Sequence, residues 1–259
     1  MDERSKWNQA AADYQKTVRA PDGRYPEQLI AFLRQRGALT PGSRVADIGC
    51  GAGKYALRFA ELGCSLLLLD IADNMMAYTK QNLADYAVPV ETAVCDWSET
   101  DPAEKGWEKS VDLAFASMTP AIRTAEDLWK LCAVSRGFCF ISKFLSLDNL
   151  LYRAVADACG VPLPVYGPTG EDSLALVRQL IDWDYLPEVR CVRYGWENRL
   201  SLEEAESRIL GSNLGPLLQE QSRSGKVREA LRALSGAESW IPEVVQSKAI
   251  WIFWDVTGR

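Results

Sequence analysis

The sequence predicts an α/β protein, a doubly wound, mostly parallel seven-stranded sheet with a helical cap. Three observations carry this. Short apolar runs alternate with segments of helical apolar spacing, the pattern of a parallel sheet covered on both faces. One run, Val45-Ala46-Asp47-Ile48, feeds directly into Gly49-Cys50-Gly51-Ala52-Gly53, and Tyr55, Ala56, Phe59, Ala60 and Leu62 then follow with helical periodicity. Acidic residues close two further runs: Asp70 ends Leu66–Leu69, and Asp96 follows Val88-Pro89-Val90 and Ala93-Val94-Cys95.

Taken in order, Trp7 to Val18 reads as an amphipathic helix. A second helix follows Tyr25-Pro26, with Leu29, Ile30 and Leu33 on one face before Gly37. Strand 44–48, helix 53–63, strand 66–70, helix 73–85 and strand 89–95 come next. Segment 101–107 is too short and too rich in Pro, Gly and charge for a full crossover helix, so a loop or short helix is expected there. Strand 111–116, helix 124–134 and strand 137–143 complete the alternation. Beyond Lys143 the pattern changes to a helix over 148–159, a Pro/Gly-rich loop from Val161 to Pro168, and a helix over 171–183. Strands at 189–194 and 249–256 are separated by helices near 201–210 and 215–234. No linker interrupts the 259 residues. The expected organisation is a single domain, 1–259, with an N-terminal helical lid over 1–40 and cap or insert segments at 147–185 and 200–247.

The glycine turn makes a ligand site of this strand–helix junction. Glycine takes positive φ and lets a ligand approach the main chain closely. A dinucleotide fingerprint would carry a third glycine where Lys54 stands, and Asp47 would repel a pyrophosphate. A carboxylate there suits a ligand bearing a cationic amine and a sulfonium. Asp70 and Asp96 fall at carboxyl ends of parallel strands, the edge at which open α/β sheets bind ligands, and an acid after the second strand is the usual partner of a ribose diol. An Asp at a strand end is also a common cap. The joint spacing with the glycine turn favours the ligand role.

With Asp47-x-Gly49-x-Gly51-x-Gly53, Asp70 and Asp96 in this order, the chain resembles the class I S-adenosylmethionine-dependent methyltransferases, with their Rossmann-like fold, from about Val45 to Lys143. The resemblance implies S-adenosyl-L-methionine as cofactor and S-adenosyl-L-homocysteine as product. It makes the loop Asp47, Gly49, Cys50, Gly51 and Gly53 the cradle of the methionine part. Asp70 would hold both ribose hydroxyls, Ile71 would pack on adenine, Asp96 would accept from the adenine amino group, and Trp97 would cover the ring. Ser117 would lie beside the reacting methyl. For Trp97 and Ser117 a purely structural role fits the sequence equally well. In the family an aromatic-bearing N-terminal helix often folds over the cofactor, which makes Trp7 and Tyr14 candidates on the substrate side, beside plain packing of that helix. Lys143 and Tyr166 are further candidate substrate contacts. Ser117-Met118-Thr119-Pro120 keeps one proline and no following aromatic of the Asn-Pro-Pro-aromatic loop found in methyltransferases acting on exocyclic amines of bases or on glutamine, so a planar amide or base acceptor is unsupported.

Composition narrows the partners. The net charge of −6 argues against a broad phosphate-binding face, so a small-molecule acceptor is expected and nucleic acid is disfavoured. The basic residues Arg223, Lys226, Arg228 and Arg232 are broken up by Glu220 and Glu229 and read as a solvated helix face. Seven scattered cysteines without C-x-x-C spacing suggest reduced thiols. No run of roughly 18 apolar residues would span a membrane. A cytoplasmic protein with no membrane partner is the expectation, with a homo-oligomer compatible through the inserted segments. There is no histidine, so imidazole catalysis and histidine metal ligation are excluded, and no metal is expected.

The reading is methyl transfer to a small molecule by in-line displacement, a reaction that needs alignment more than a dedicated catalytic residue. A cofactor-binding scaffold without catalysis, a nicotinamide-dependent oxidoreductase and RNA methylation are the alternatives; Asp47 and Lys54 weigh against the second, acidic charge against the third.

Overall fold

The computed structural model describes residues 2–18, 25–163, 170–220, 223–235 and 239–258. In chain order the elements are α1 (Glu3–Thr17), α2 (Tyr25–Gln35), β1 (Arg44–Ile48), α3 (Lys54–Glu61), β2 (Ser65–Asp70), α4 (Asp73–Leu83), β3 (Val90–Val94), β4 (Val111–Ser117), α5 (Ala125–Val134), β5 (Ser135–Asn149), α6 (Leu150–Cys159), α7 (Gly170–Asp182), β6 (Glu188–Leu200), α8 (Leu202–Gly211), α9 (Leu214–Glu220), α10 (Ser224–Ser235) and β7 (Ile241–Asp255). A 3₁₀ turn, Trp97–Glu99, and tight turns through Gly106 fill the stretch between β3 and β4.

The seven strands lie in the order β3-β2-β1-β4-β5-β7-β6, and the pairs β2·β3, β1·β2, β1·β4 and β4·β5 are parallel. Chain order reverses between β1 and β4, so the loops leaving these two neighbours diverge and open a crevice at their carboxyl ends. β1 and β2 are buried along almost their whole length because helices cover both faces. Phe115 stacks on Phe140 at 5.3 Å and 12°, with Phe59 edge-on to Phe115 at 5.1 Å. Each such fully buried ring contributes roughly 1.5–3 kcal/mol by removal from water.

The chain divides into two compact units. The first comprises Met1–Lys143, Thr169–Val192 and Ile250–Arg259, and holds the crevice. The second comprises Phe144–Pro168 and Arg193–Ala249. Its own core gathers Val155, Ile209, Leu214, Leu218, Val227 and Leu231.

Several boundaries differ from the sequence expectation. β5, β6 and β7 are longer than 137–143, 189–194 and 249–256. In β7 the inward positions from Ile241 alternate correctly but include Glu243 and Ser247, which conceal the apolar period. Both are satisfied within the second unit. Asn149 Nδ2, Asn198 Nδ2 and Arg208 Nη1 donate to Glu243 at 2.9, 2.7 and 2.7 Å, and Ser247 Oγ donates to the Tyr194 carbonyl at 2.7 Å. The helix expected over 215–234 is two helices, α9 and α10. α1 is a helix, but only Ala11 within it is buried, and it docks through polar groups rather than an apolar stripe.

Candidate functional site

The site is built on the β1–α3 loop. Gly49, Gly51 and Gly53 all have positive φ, at 73°, 56° and 89°. At Gly49 an added Cβ would collide with the Thr119 side chain, and at Gly53 it would press on Thr79 Oγ1 at 3.1 Å. At Gly51 it would meet nothing: that backbone faces the open cleft. The loop is held from below by β2, since the Gly49 and Cys50 amides both donate to the Leu69 carbonyl, at 2.8 and 3.0 Å. Asp70 reinforces it, its Oδ2 accepting from the Gly51 amide at 2.8 Å and its Oδ1 from the Ala72 amide at 2.9 Å.

A second layer of support comes from α4. Thr79 Oγ1 donates to the Gly51 carbonyl at 2.7 Å, and Asn82 Nδ2 to the Ala52 carbonyl at 2.9 Å. Asn82 also exchanges amide bonds with Gln15 of α1, at 2.7 and 3.0 Å. α1 is further tied to α4 by the Asn8–Asn74 pair. Sequence reading missed Thr79 and Asn82. The signal was there: both are polar residues on the face of α4 that otherwise buries Met75, Met76 and Leu83. Gln15 carried no such signal.

The cleft encloses about 860 Å³ of empty space including its open mouth. Of the expected residues it brings together Tyr14, Gly49, Gly51, Asp70, Ile71, Asp96 and Trp97, with Trp7 beside them. Met118, Thr119, Arg123 and Asp127 also line it and were not anticipated. Met118 has φ 53°, unusual for a side-chain-bearing residue, which turns the chain sharply after β4. Asp127 is announced by Thr124-x-x-Asp127, a capping box that starts α5: its Oδ2 accepts from the Arg123 and Thr124 amides at 3.0 and 2.9 Å.

Asp96 caps the 3₁₀ turn. Its Oδ1 accepts from the Ser98 amide at 2.9 Å and from Ser98 Oγ at 2.8 Å, and Oδ2 takes no hydrogen bond among the described residues. Trp97 is buried, with its indole N–H donating to the Asp127 carbonyl at 3.1 Å. Asp47, Cys50, Gly53, Ser117 and Lys143 are not among the cleft-lining residues. Ser117 Oγ pairs with Ser142 Oγ at 2.8 Å, and Lys143 Nζ donates to the Ile122 carbonyl at 2.7 Å. Tyr166 lies outside the described residues.

Electrostatically the site is dominated by two buried carboxylates. Asp47 is 3% exposed and Asp70 8%. Burial, with the charge of Asp70 added, pushes the Asp47 carboxyl up to about 8. Burial also raises Asp70, against the pull of the Ala72, Gly51 and Ile71 amides. Neither carboxylate has a cationic side-chain partner among the described residues, and Asp47 accepts no hydrogen bond there. Leaving such a charge buried and unpaired is costly. Burial, with the charges of Asp47 and Asp70 added, holds the Cys50 thiol well above the usual thiol range, which disfavours the thiolate. Tyr14 keeps 46% of its surface exposed, yet burial of its cleft-facing part and then the Asp70 charge raise its phenol. Burial lowers the Lys143 ammonium, with Asp172 acting the other way. Among the described residues no cluster of three or more Cys, Asp or Glu is placed to hold a metal, and no helix is long and apolar enough to cross a membrane.

Residues 45–136 match the family model described as a methyltransferase domain. A ubiquinone/menaquinone biosynthesis C-methyltransferase, UbiE of Bordetella parapertussis, is 34% identical over 106 residues, 39% of this chain and 41% of that protein. The S-adenosyl-L-methionine-dependent Diels-Alderase iliD of a Neonectria species is 29% identical over 103 residues, 40% of this chain and 42% of that protein. The chain thus spans about two-fifths of the length of these relatives. Among solved structures, magnesium protoporphyrin IX methyltransferase from Synechocystis PCC 6803 with bound S-adenosylhomocysteine shares the fold at a TM-score of 0.53 and 14% identity, covering 95% of this chain and 96% of that one.

Proposed function

We propose that the protein, whose residues 45–136 match a methyltransferase domain, is a class I S-adenosylmethionine-dependent methyltransferase that binds S-adenosylmethionine in the cleft above β1 and β2 and transfers its methyl group to a small-molecule acceptor by in-line displacement. The observation that carries this is the buried pair Asp47 and Asp70 under a glycine loop, with no cation among the described residues bonded to either. A ligand with an ammonium and a sulfonium supplies the missing positive charge; a pyrophosphate would worsen the repulsion.

The residues fit that ligand. Asp70 spends one acceptor direction of each oxygen on the loop and keeps others for a vicinal diol. Asp96 Oδ2, which accepts no hydrogen bond among the described residues, is open to an adenine amino group, and Ile71 and Trp97 offer apolar surface to the ring. Gly51 leaves the main chain open to close approach. When bound, S-adenosylmethionine supplies an already activated methyl group. The chain's contribution is to orient it and exclude water, and alignment of this kind can be worth several kcal/mol.

A second reading, cofactor binding without methyl transfer, is favoured by the similarity to a protein named as an S-adenosylmethionine-dependent Diels-Alderase. Incubation with methyl-labelled S-adenosylmethionine and a panel of small acceptors separates the two. Acceptor-dependent release of S-adenosylhomocysteine with label in the product supports methyl transfer. Tight cofactor binding with no label transferred to any acceptor supports the second reading.

A further inference from the structure

We infer that the acceptor is an amine, admitted as an ammonium ion to a face of α1 formed by Glu3, Trp7 and Tyr14. This rests on the methyl-transfer reading. The three residues are spaced i, i+4 and i+11, which places them on one side of a helix at 100° per residue, and all three line the cleft. The Trp7 and Tyr14 rings stand nearly perpendicular, 81° apart with centroids at 5.8 Å, and the Trp7 indole N–H donates to Glu3 Oε2 at 3.0 Å. Two rings packed edge to face, with a carboxylate at the indole N–H, form a corner that matches an alkylammonium, which the ring faces attract through their quadrupoles. The Trp7 ring already makes such a contact, with exposed Lys6 Nζ 5.3 Å from its centroid and 3.8 Å from Glu3 Oε1, a cation of the chain that an acceptor ammonium would displace or join.

Charge in the rest of the cleft points the same way. Four carboxylates line it, Glu3, Asp70, Asp96 and Asp127, against one guanidinium, Arg123. The hydrogen bonds recorded for the last three carboxylates come from neutral groups: backbone amides for Asp70 and Asp127, Ser98 for Asp96. No cationic side chain among the described residues pairs with any of these three. Arg123 is engaged with the Pro120 carbonyl at 2.7 Å and faces Glu3 at 3.7 Å. S-adenosylmethionine carries a single net positive charge, so the occupied cleft still has an excess of negative charge. A carboxylate or phosphate acceptor would enter against that field and an ammonium with it.

The chemistry closes without histidine. The ammonium gives one proton to bulk water, the freed nitrogen lone pair forms the new N–C bond, and the C–S bond breaks with its electron pair passing to sulfur. The product is a methylated ammonium, again a cation.

The test uses the protein saturated with S-adenosylhomocysteine, titrated with benzylammonium and with benzoate, probes sharing a ring but opposite in charge, and followed by tryptophan fluorescence. Benzylammonium should bind about ten-fold more tightly than benzoate, and Glu3→Gln should remove about that factor while the S-adenosylhomocysteine affinity stays within about two-fold. Trp7→Leu should weaken benzylammonium and Trp7→Tyr should largely restore it, with tyrosine fluorescence or calorimetry as the readout. Equal or tighter binding of benzoate, no binding of either probe, or indifference of benzylammonium to Glu3→Gln would overturn the inference. Failure of S-adenosylhomocysteine to bind at the outset would instead strike the reading beneath it.

Discussion

Asp47 and Asp70 stand on neighbouring strands of the buried sheet, and burial together with the Asp70 charge pushes the Asp47 carboxyl up to about 8. The folded protein thus binds this proton far more tightly than an unfolded chain, whose Asp titrates near its ordinary value of 3.8. The stability this contributes is fully present below the unfolded value and lost as pH rises through about 8. The ligand-free protein should therefore lose thermal stability between about pH 4 and about pH 8 and level off above that, and Asp47→Asn should flatten the fall. Melting curves check it, at roughly 2–4 °C per kcal/mol for a chain of this size. The same substitution should weaken S-adenosylhomocysteine binding, so stability and affinity move in opposite directions. Parallel pH slopes for the two proteins would contradict the assignment.

Asp70→Ala should raise the S-adenosylhomocysteine dissociation constant by about 10- to 100-fold, because hydrogen bonds to a charged group are worth about 1.5–3 kcal/mol each. It also removes the acceptor of the Gly51 and Ala72 amides, so Asp70→Asn, which keeps one acceptor, should fall between. Calorimetry of the three proteins gives the order.

The glycines of the loop should separate into two kinds. Gly49→Ala drives a methyl into Thr119, while Gly51→Ala meets no protein atom. Both pay about 1–2 kcal/mol for a side chain in the left-handed region. Beyond that shared cost, Gly49→Ala should lower the melting temperature further, and Gly51→Ala should mainly weaken the ligand. Melting curves with and without S-adenosylhomocysteine distinguish them.

Asn82 joins α1 to the ligand loop, holding the Ala52 carbonyl and Gln15 at once. Asn82→Ala strands a buried carbonyl and should destabilise by about 1–3 kcal/mol. Gln15→Ala should cost less stability, yet speed amide exchange in α1, which has so few buried residues of its own. Hydrogen exchange that leaves α1 unchanged would show that its docking lies elsewhere.

What the sequence disclosed depended on locality. The glycine turn, Asp70 and Asp96 each sit at the end of an apolar run, and alternation with helices makes those strands parallel, so their meeting at one sheet edge could be read before any coordinate. Thr119, Gln15 and Arg123 reach the site through chain reversals that no local pattern encodes, and Met118 takes a left-handed conformation that its residue type does not announce. Ser117 ends β4 where spacing puts it, whereas β5 continues past Lys143 to Asn149, and the structure bonds the two side chains to Ser142 and to the Ile122 carbonyl. β7 was under-read because Glu243 and Ser247 occupy inward positions, made tolerable by partners distant in sequence.

The central claim, that the cleft is built for a cationic nucleoside rather than a pyrophosphate, is tested most directly by calorimetric titration of the unmodified protein with S-adenosylhomocysteine and, separately, with NADH. The account predicts saturable one-to-one binding of S-adenosylhomocysteine, with a proton released on binding near neutral pH as Asp47 ionises against the ligand ammonium, and little or no heat with NADH. Tight binding of NADH with no response to S-adenosylhomocysteine would contradict it.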